Sequence, residues 1–233
     1  MGGQIWYYDC YDLRKFDPYQ ISTFLDIGAN KGGVSIQARI FLSSARIVAI
    51  EPCKEVFDFL HNHIMCWGGN TALVVHAALG DGSTMYMKKS SGTSGLNKFF
   101  TEEEAKQYGL PRLSPVRSKT LKQIFDEYSV DINNPYIIKI DCEGGERFIL
   151  DQGKEAIDLI QGSVQTVMEI HLGLGGSAEQ WSDFAKCISD THVVREGLFN
   201  SYPKHDLRRK FVWHNFYGFQ PPKSRHIIEF VRK

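Results

Sequence analysis

The stretch Phe24-Leu25-Asp26-Ile27-Gly28-Ala29-Asn30-Lys31-Gly32 decides the fold of this 233-residue chain. The apolar residues at its start predict a strand over Thr23–Asp26, and a helical pattern of apolar residues follows over Val34–Leu42. A glycine-rich turn between a strand and a helix is typical of the first unit of an open α/β nucleotide-binding sheet. We therefore expect a mostly parallel sheet with helices on both faces.

The spacing of the turn indicates which ligand it binds. It has the form Asp26-x-Gly28-x-x-x-Gly32, whereas a dinucleotide fingerprint has the form G-x-G-x-x-G and places a pyrophosphate at the helix N-terminus. A carboxylate at the end of the strand would repel a pyrophosphate and attract an ammonium group. S-adenosylmethionine carries both an ammonium and a sulfonium group. We therefore predict that Asp26, Gly28, Asn30 and Gly32 bind S-adenosylmethionine.

Strand and helix patterns alternate along the rest of the chain. Further strands are predicted at Ile47–Glu51, Ala72–Ala77, Ile137–Asp141, Val164–Ile170, Val193–Glu196 and His226–Val231, and further helices at Lys54–Met65, Thr120–Tyr128, Glu146–Ile160 and Ala178–Ser189. The last two strands follow each other without a helical pattern between them, so we expect the final strand to be antiparallel. The predicted fold is a single doubly wound, Rossmann-like domain with a seven-stranded sheet.

Domain boundaries and loops can also be predicted. We assign residues 1–22 to an N-terminal extension and residues 23–233 to the domain, with substrate-site loops at 88–115 and 197–225. Within the first loop, Thr101 followed by Glu104 predicts a capping box that starts a short helix. The second loop mixes aromatic and basic residues and would contact a sugar by stacking. The alternative is that both loops are solvated surface segments.

Composition narrows the partners and the compartment. The 27 basic and 27 acidic residues cancel, so the charge gives no support for a nucleic-acid partner. No apolar stretch approaches the roughly 20 residues that span a bilayer, and we expect no membrane span. The 5 cysteines form no C-x-x-C pair and predict reduced thiols in a cytoplasmic protein.

Two further segments are predicted to complete the cofactor site. Glu51 ends the second strand, where a carboxylate can accept hydrogen bonds from both ribose hydroxyls. Ala78 and Leu79 follow the third strand, where small residues would let the backbone approach adenine and Asp81 would bind its exocyclic amine. The alternatives are that Glu51 is a surface carboxylate near a helix N-terminus, and that Asp81 belongs to a simple turn.

The strongest candidates for catalysis follow the fourth and fifth strands. Asp141 and Glu143 come directly after one strand, and Glu169 and His171 end the next. Ligands of open α/β sheets bind along this carboxyl edge, and carboxylates there can act as bases. We predict that these four residues form the acceptor site, with Asp141 also contacting the cofactor. Lys139 is expected to be buried behind the site or paired with a carboxylate rather than to be the base.

Three alternatives remain open for these residues. Asp141 or Glu143 would simply cap the following helix, and His171 would be structural. In a third interpretation, Asp141 and Glu169 hold a divalent cation through carboxylate oxygens. We favour a site without a metal.

Several motifs that occur in order resemble those of the FkbM-type family, which belongs to the class I S-adenosylmethionine-dependent methyltransferases. They are Asp26-Ile27-Gly28-Ala29-Asn30-Lys31-Gly32, Ile50-Glu51-Pro52, Ala77-Ala78-Leu79-Gly80-Asp81, Thr120-Leu121, Ile138-Lys139-Ile140-Asp141-Cys142-Glu143-Gly144-Gly145-Glu146 and Glu169-Ile170-His171. The resemblance covers roughly residues 23–171. It implies a seven-stranded sheet with an antiparallel last strand, and O-methylation of a hydroxyl, commonly on a sugar of a glycan or on a secondary metabolite.

The predicted function is therefore transfer of a methyl group from S-adenosylmethionine to a hydroxylated small molecule or glycan. Two other functions are compatible with a sheet of this type. The first is an NAD(P)-dependent oxidoreductase, which the missing third glycine and the Asp26 carboxylate disfavour. The second is a non-catalytic module that binds the cofactor without transferring a methyl group.

Overall fold

The computed structural model describes residues 11–68, 71–89, 97–109, 113–171, 174–198 and 225–232. The strands are β1 (Thr23–Ile27), β2 (Arg46–Ile50), β3 (Ala72–Val75), β4 (Ala78–Leu79), β5 (Thr84–Lys88), β6 (Lys98–Phe100), β7 (Ser114–Lys119), β8 (Tyr136–Ile140), β9 (Gln165–His171), β10 (His192–Leu198) and β11 (Arg225–Arg232). The α-helices are α1 (Gly33–Phe41), α2 (Lys54–Gly68), α3 (Glu102–Tyr108), α4 (Leu121–Glu127), α5 (Phe148–Asp151), α6 (Gly153–Gly162) and α7 (Ala178–Ile188).

The main sheet has the strand order β10-β11-β9-β8-β1-β2-β3. The strands from β9 to β3 are parallel, and β11 is antiparallel to both of its neighbours. Every residue of β1, β8 and β9 is buried, because helices cover both faces of the central strands. The predicted α/β fold with a mostly parallel sheet is confirmed.

The main sheet has seven strands with the last one antiparallel, as predicted, but a second sheet with the strand order β4-β7-β5-β6 was not predicted. These strands are short, and they carry charged residues such as Lys88, Lys98 and Arg117, which weaken the apolar signal that identifies a strand. The segment 88–115, which we expected to be a loop, contains β6 and α3 among its described residues.

Local sequence signals explain where helices begin and end. The predicted capping box is confirmed: Thr101 Oγ1 accepts a hydrogen bond from the Glu104 amide, and Glu104 Oε2 accepts one from the Thr101 amide. The predicted helix Glu146–Ile160 is wrong as a single element, because it is divided into a 3-10 turn (Gly145–Arg147), α5 and α6. Gly153, with φ +56°, lies at the start of α6 and marks the break.

The described part of the predicted N-terminal extension packs against the main sheet. Leu13 and Ile21 are buried in one apolar cluster with Phe24 and Leu42. The Gln165 side-chain amide donates a hydrogen bond of 3.1 Å to the Tyr11 carbonyl. Residues 11–22 therefore share the core of the domain, and a boundary at residue 22 remains a prediction.

Other predictions concern segments outside the described residues. Most of the predicted loop 197–225, including its aromatic and basic residues, lies in the range 199–224. None of the described helices is both long enough and apolar enough to cross a membrane.

Candidate active site

The carboxyl ends of β1, β2 and β8 are joined by backbone hydrogen bonds at one edge of the main sheet. The amides of Gly28 and Ala29 both donate to the Ile50 carbonyl at 2.9 Å, and the Asp141 amide donates to the Ile27 carbonyl at 3.0 Å. These bonds fix the loop after β1 between the two neighbouring strand ends. The segments predicted to hold the cofactor and the acceptor are therefore adjacent.

Two glycines of this loop are required by its backbone. Gly28 has φ +78°, and a Cβ atom there would overlap the carbonyl oxygen of Asp141. Gly32 has φ +84°, and a Cβ atom would lie 2.6 Å from Leu60 Cδ1. Both positions favour glycine because side chains rarely adopt positive φ and because no space is left for them.

Asp26 does not occupy the position that we predicted for it. Its side chain is fully buried, its Oδ2 accepts a hydrogen bond of 2.6 Å from Ser35 Oγ, and its Oδ1 lies 3.0 Å from Lys139 Nζ. The prediction that Asp26 contacts an ammonium group of the ligand is therefore wrong. The carboxylate is instead used inside the protein, and the predicted pairing of Lys139 with a carboxylate is confirmed.

Lys139 links this buried pair to the glycine loop. Its ammonium donates hydrogen bonds to the carbonyls of Ile27 and Gly28, at 3.3 and 2.7 Å. Burial alone would lower the pKa of Lys139, but the charges of Asp26 and Asp141 outweigh it and raise the pKa above its usual value. The side chain is therefore a charged support beneath the loop.

Glu51 connects the end of β2 to the same loop. It is 6% exposed, its Oε2 accepts a hydrogen bond of 2.9 Å from the Asn30 amide, and its Oε1 accepts one of 2.8 Å from the Cys53 amide. Burial raises its pKa to about 7 despite these two hydrogen bonds. This environment excludes the surface-carboxylate alternative, while the ribose contact remains a prediction.

The segment predicted to contact adenine forms a short strand and a turn. Ala78 and Leu79 are buried in β4, which contacts the 3-10 turn after β8. Asp81 Oδ1 accepts a hydrogen bond of 2.8 Å from the Ser83 amide. Burial would raise the pKa of Asp81, but hydrogen bonds from Ser83 and Ser118 lower it. Asp81 therefore belongs to a turn, as the alternative interpretation predicted, and its contact with adenine remains a prediction.

The four predicted catalytic residues lie around one imidazole. His171 Nε2 is 3.3 Å from Glu143 Oε2, 3.7 Å from Glu169 Oε1 and 4.0 Å from Asp141 Oδ1. The other ring nitrogen, Nδ1, lies 2.9 Å from Glu146 Oε1. We call Asp141, Glu143, Glu169 and His171 the acidic cluster. The sequence correctly placed them at one edge, and their catalytic role remains a prediction.

Glu146 was not predicted as a functional residue. It is 1% exposed, and its Oε1 accepts hydrogen bonds from both the amide and the Nδ1 atom of His171. Its Oε2 accepts a third hydrogen bond from the Gly144 amide. The alternative that Asp141 or Glu143 caps this turn is wrong, because Gly144 occupies the N-cap position and no side chain caps it.

The surroundings of His171 determine its charge. Burial alone would lower the pKa of the imidazole, but the hydrogen bond and charge of Glu146, with the charges of Asp141 and Glu143, raise it to about 9. The imidazole therefore carries a proton at neutral pH in the protein without bound ions. Glu143 has φ +50°, a backbone conformation that costs energy in a residue other than glycine and is frequent at functional sites.

The fold is similar to that of Rossmann-like methyltransferases. The METTL16 MTase domain is similar in fold, with a TM-score of 0.50 and 12% identity over 95% of this chain and 64% of that one. A second similar structure is precorrin-6y C5,15-methyltransferase from Geobacter metallireducens GS-15, with a TM-score of 0.45 and 13% identity over 96% of this chain and 87% of that one. A third is a putative rRNA-methylase from Clostridium thermocellum, with a TM-score of 0.48 and 8% identity over 94% of this chain and 92% of that one.

The sequence profile of the methyltransferase FkbM domain matches residues 26–202. The chain therefore belongs to the FkbM-type family of S-adenosylmethionine-dependent methyltransferases, as its motifs predicted. No curated protein matches it in sequence. Membership of this family favours the methyltransferase interpretation over a nicotinamide-dependent oxidoreductase.

Proposed function

We propose that this protein is an S-adenosylmethionine-dependent O-methyltransferase that acts on a hydroxyl of a sugar, in a glycan or a glycosylated metabolite. The observation that carries the proposal is the acidic cluster, which lies at the same sheet edge as the glycine loop after β1. A methyl donor in the loop and a hydroxyl at the cluster would be neighbours.

The residues present fit S-adenosylmethionine. Glu51 is a buried carboxylate that can accept further hydrogen bonds from ribose hydroxyls, since each of its oxygens has a second lone pair. Gly32 is the N-cap of α1 and provides no side-chain cap, so amides of the first turn suit the carboxylate of the ligand. Gly28 and Asn30 remain predicted contacts of the ligand. S-adenosylmethionine supplies a methyl group already activated by its sulfonium.

The protein must then align a hydroxyl and accept its proton. Alignment of the two reactants accounts for much of the rate in a displacement of this kind. When bound, S-adenosylmethionine would supply the methyl group to the hydroxyl oxygen, and the electron pair of the broken carbon–sulfur bond would stay on sulfur. The proton passes to the acidic cluster. Since His171 already holds a proton at neutral pH, a carboxylate of the cluster is the acceptor.

The charge of the cluster favours a polyhydroxylated acceptor. Carboxylates close to one another can accept hydrogen bonds from adjacent hydroxyls of a sugar ring. The same negative charges would repel the phosphates of a nucleic acid, and the neutral net charge of the chain provides no compensating field. The absence of a nucleic-acid partner and the cytoplasmic location remain predictions.

A methyl-transfer assay with isotope-labelled S-adenosylmethionine tests the proposal. We expect label in a methyl ether when the protein is incubated with a panel of sugars and glycosides. Asp141→Asn should reduce the rate at least about 100-fold, and the control Asp183→Asn, on the exposed face of α7, should not change it. Label in an amine would overturn O-methylation, and label in RNA would overturn a glycan or glycosylated metabolite as the acceptor. Binding of S-adenosylhomocysteine without transfer to any acceptor would indicate a non-catalytic module.

A further inference from the structure

We propose that Asp141, Glu169 and His171 bind one divalent cation of the first transition series, such as Mn²⁺. One ligand atom from each of these residues lies within 4.8 Å of the others. Glu169 and His171 are buried, and Asp141 is partly exposed, so an ion could reach the site from solvent past Asp141.

The orientation of His171 is the first reason. The imidazole is 5% exposed, and its Nε2 atom has no hydrogen-bond partner among the described residues, although it faces the carboxylates of the acidic cluster. Its Nδ1 atom is held by Glu146 at 2.9 Å. A histidine that binds a metal through one nitrogen usually donates its other N–H group to a carboxylate, which fixes the ring. Glu146 provides that second interaction here.

The spacing of the ligand atoms is the second reason. Octahedral coordination with bonds of about 2.1 Å places neighbouring ligand atoms about 3.0 Å apart and opposite ones about 4.2 Å apart. The distances from His171 Nε2 to Glu169 Oε1 and Asp141 Oδ1 are 3.7 and 4.0 Å. The three side chains would therefore reach one ion with small rotations.

Charge is the third reason. Asp141, Glu143 and Glu169 bring three carboxylates to one imidazole, and Glu146 adds a fourth on its other side. A divalent cation would offset the repulsion among them. It would displace the proton from the imidazole, because a metal ligand must be unprotonated.

The ligand types indicate the kind of ion. Ca²⁺ and Mg²⁺ take oxygen ligands, whereas imidazole nitrogen is a ligand of first-row transition metals. One nitrogen with two or three carboxylate oxygens fits Mn²⁺. Ion binding itself does not depend on the acceptor. Its consequence does rest on the proposed function: the ion would lower the pKa of the acceptor hydroxyl, and Glu143, which lies beside the ion ligands, would accept the proton.

Binding of Mn²⁺ to the full chain, stripped with EDTA and without donor or acceptor, tests the site. Isothermal titration should give one ion per chain, and pulsed electron paramagnetic resonance should show a ¹⁴N coupling from a coordinated imidazole. No binding, or binding without the nitrogen coupling, would overturn the proposal. Methyl transfer that survives EDTA in a protein that binds no Mn²⁺ would reject the ion and leave the proposed function intact.

Variants separate this site from non-specific binding. Asp141→Asn, Glu169→Gln and His171→Ala should each weaken Mn²⁺ binding by about 10-fold or more. Asp158→Asn, which changes an exposed carboxylate paired with Lys154 on α6, should leave the affinity unchanged. Equal affinity in all variants would also overturn the proposal. If a variant does not fold, the nitrogen coupling of the unaltered protein still decides the question.

Discussion

Lys139 Nζ lies 3.0 Å from Asp26 Oδ1, and the two residues are direct partners in the register of β8 and β1. Neither side chain is more than 3% exposed. The same ammonium holds the carbonyl of Gly28, so one buried ion pair joins the two central strands and supports the loop between β1 and α1. The geometry of the loop between β1 and α1 therefore depends on an ion pair that is buried inside the protein.

Replacing Lys139 by methionine should strongly destabilise the protein. The change leaves the Asp26 carboxylate buried without its partner, and breaking a buried ion pair in this way costs about 3–5 kcal/mol. The free energy of unfolding from urea titration measures the loss. The double variant Lys139→Met/Asp26→Asn should recover part of it. A single variant as stable as the parent would show that the pair contributes nothing.

Substituting alanine at Gly28 should abolish binding of S-adenosylhomocysteine. The added Cβ atom would overlap the Asp141 carbonyl, so the loop would have to move. Gly109 provides a matched control, because its φ is +89° but no atom lies within 4 Å of an added Cβ. Gly109→Ala should cost about 1 kcal/mol for the backbone strain alone and should keep binding. Titration calorimetry and thermal unfolding would compare the two, and equal effects would contradict the steric argument.

The stability of the protein should depend on the protonation of Glu51. Its pKa is about 7 in the folded chain and 4.5 in the reference state, so the folded chain holds the proton more tightly. The contribution of this tighter proton binding to the free energy of unfolding is fully present below pH 4.5, and it is lost as the pH rises through 7. Glu51→Gln removes this dependence. Its stability relative to the parent should therefore rise by roughly 3 kcal/mol between pH 4 and 8, as measured by urea unfolding. A difference in stability between variant and parent that does not change with pH would contradict the raised pKa of Glu51.

Removing the charge of Glu146 should lower the pKa of His171. The hydrogen bond and charge of this carboxylate are the largest influences that raise the pKa to about 9, and burial acts in the opposite direction. In Glu146→Gln, NMR titration of the imidazole should give a pKa well below 9. Glu104→Gln, which changes a carboxylate paired with Arg147, should leave the titration unchanged. An unaltered pKa in Glu146→Gln would show that Glu146 only shapes the turn.

The sequence predicted the parts of the structure that depend on local signals. The apolar runs identified the strands of the main sheet, and the spacing of Thr101 and Glu104 identified a capping box. The rule that parallel strands end at one edge was sufficient to bring Asp141 and His171 together. Each of these inferences needs only the period of a regular element or the direction of a strand.

The parts that could not be predicted depend on the orientation of individual side chains and on their contacts in the folded chain. Asp26 lies one residue before the end of β1, and the sequence does not show that its carboxylate points towards Lys139. Glu146 follows two glycines and reads as a helix residue, although the turn directs it at His171. The strands of the second sheet are too short and too charged to show a period.

The packing of residues 11–22 has a consequence for anyone who wishes to shorten the chain. A version that starts at Thr23 would expose the apolar surfaces of Phe24 and Leu42, and it would remove the carbonyl that binds Gln165. Exposed apolar surface of this kind promotes aggregation. Versions intended for crystallisation or for methyl-transfer assays should therefore keep every residue from Tyr11 onwards.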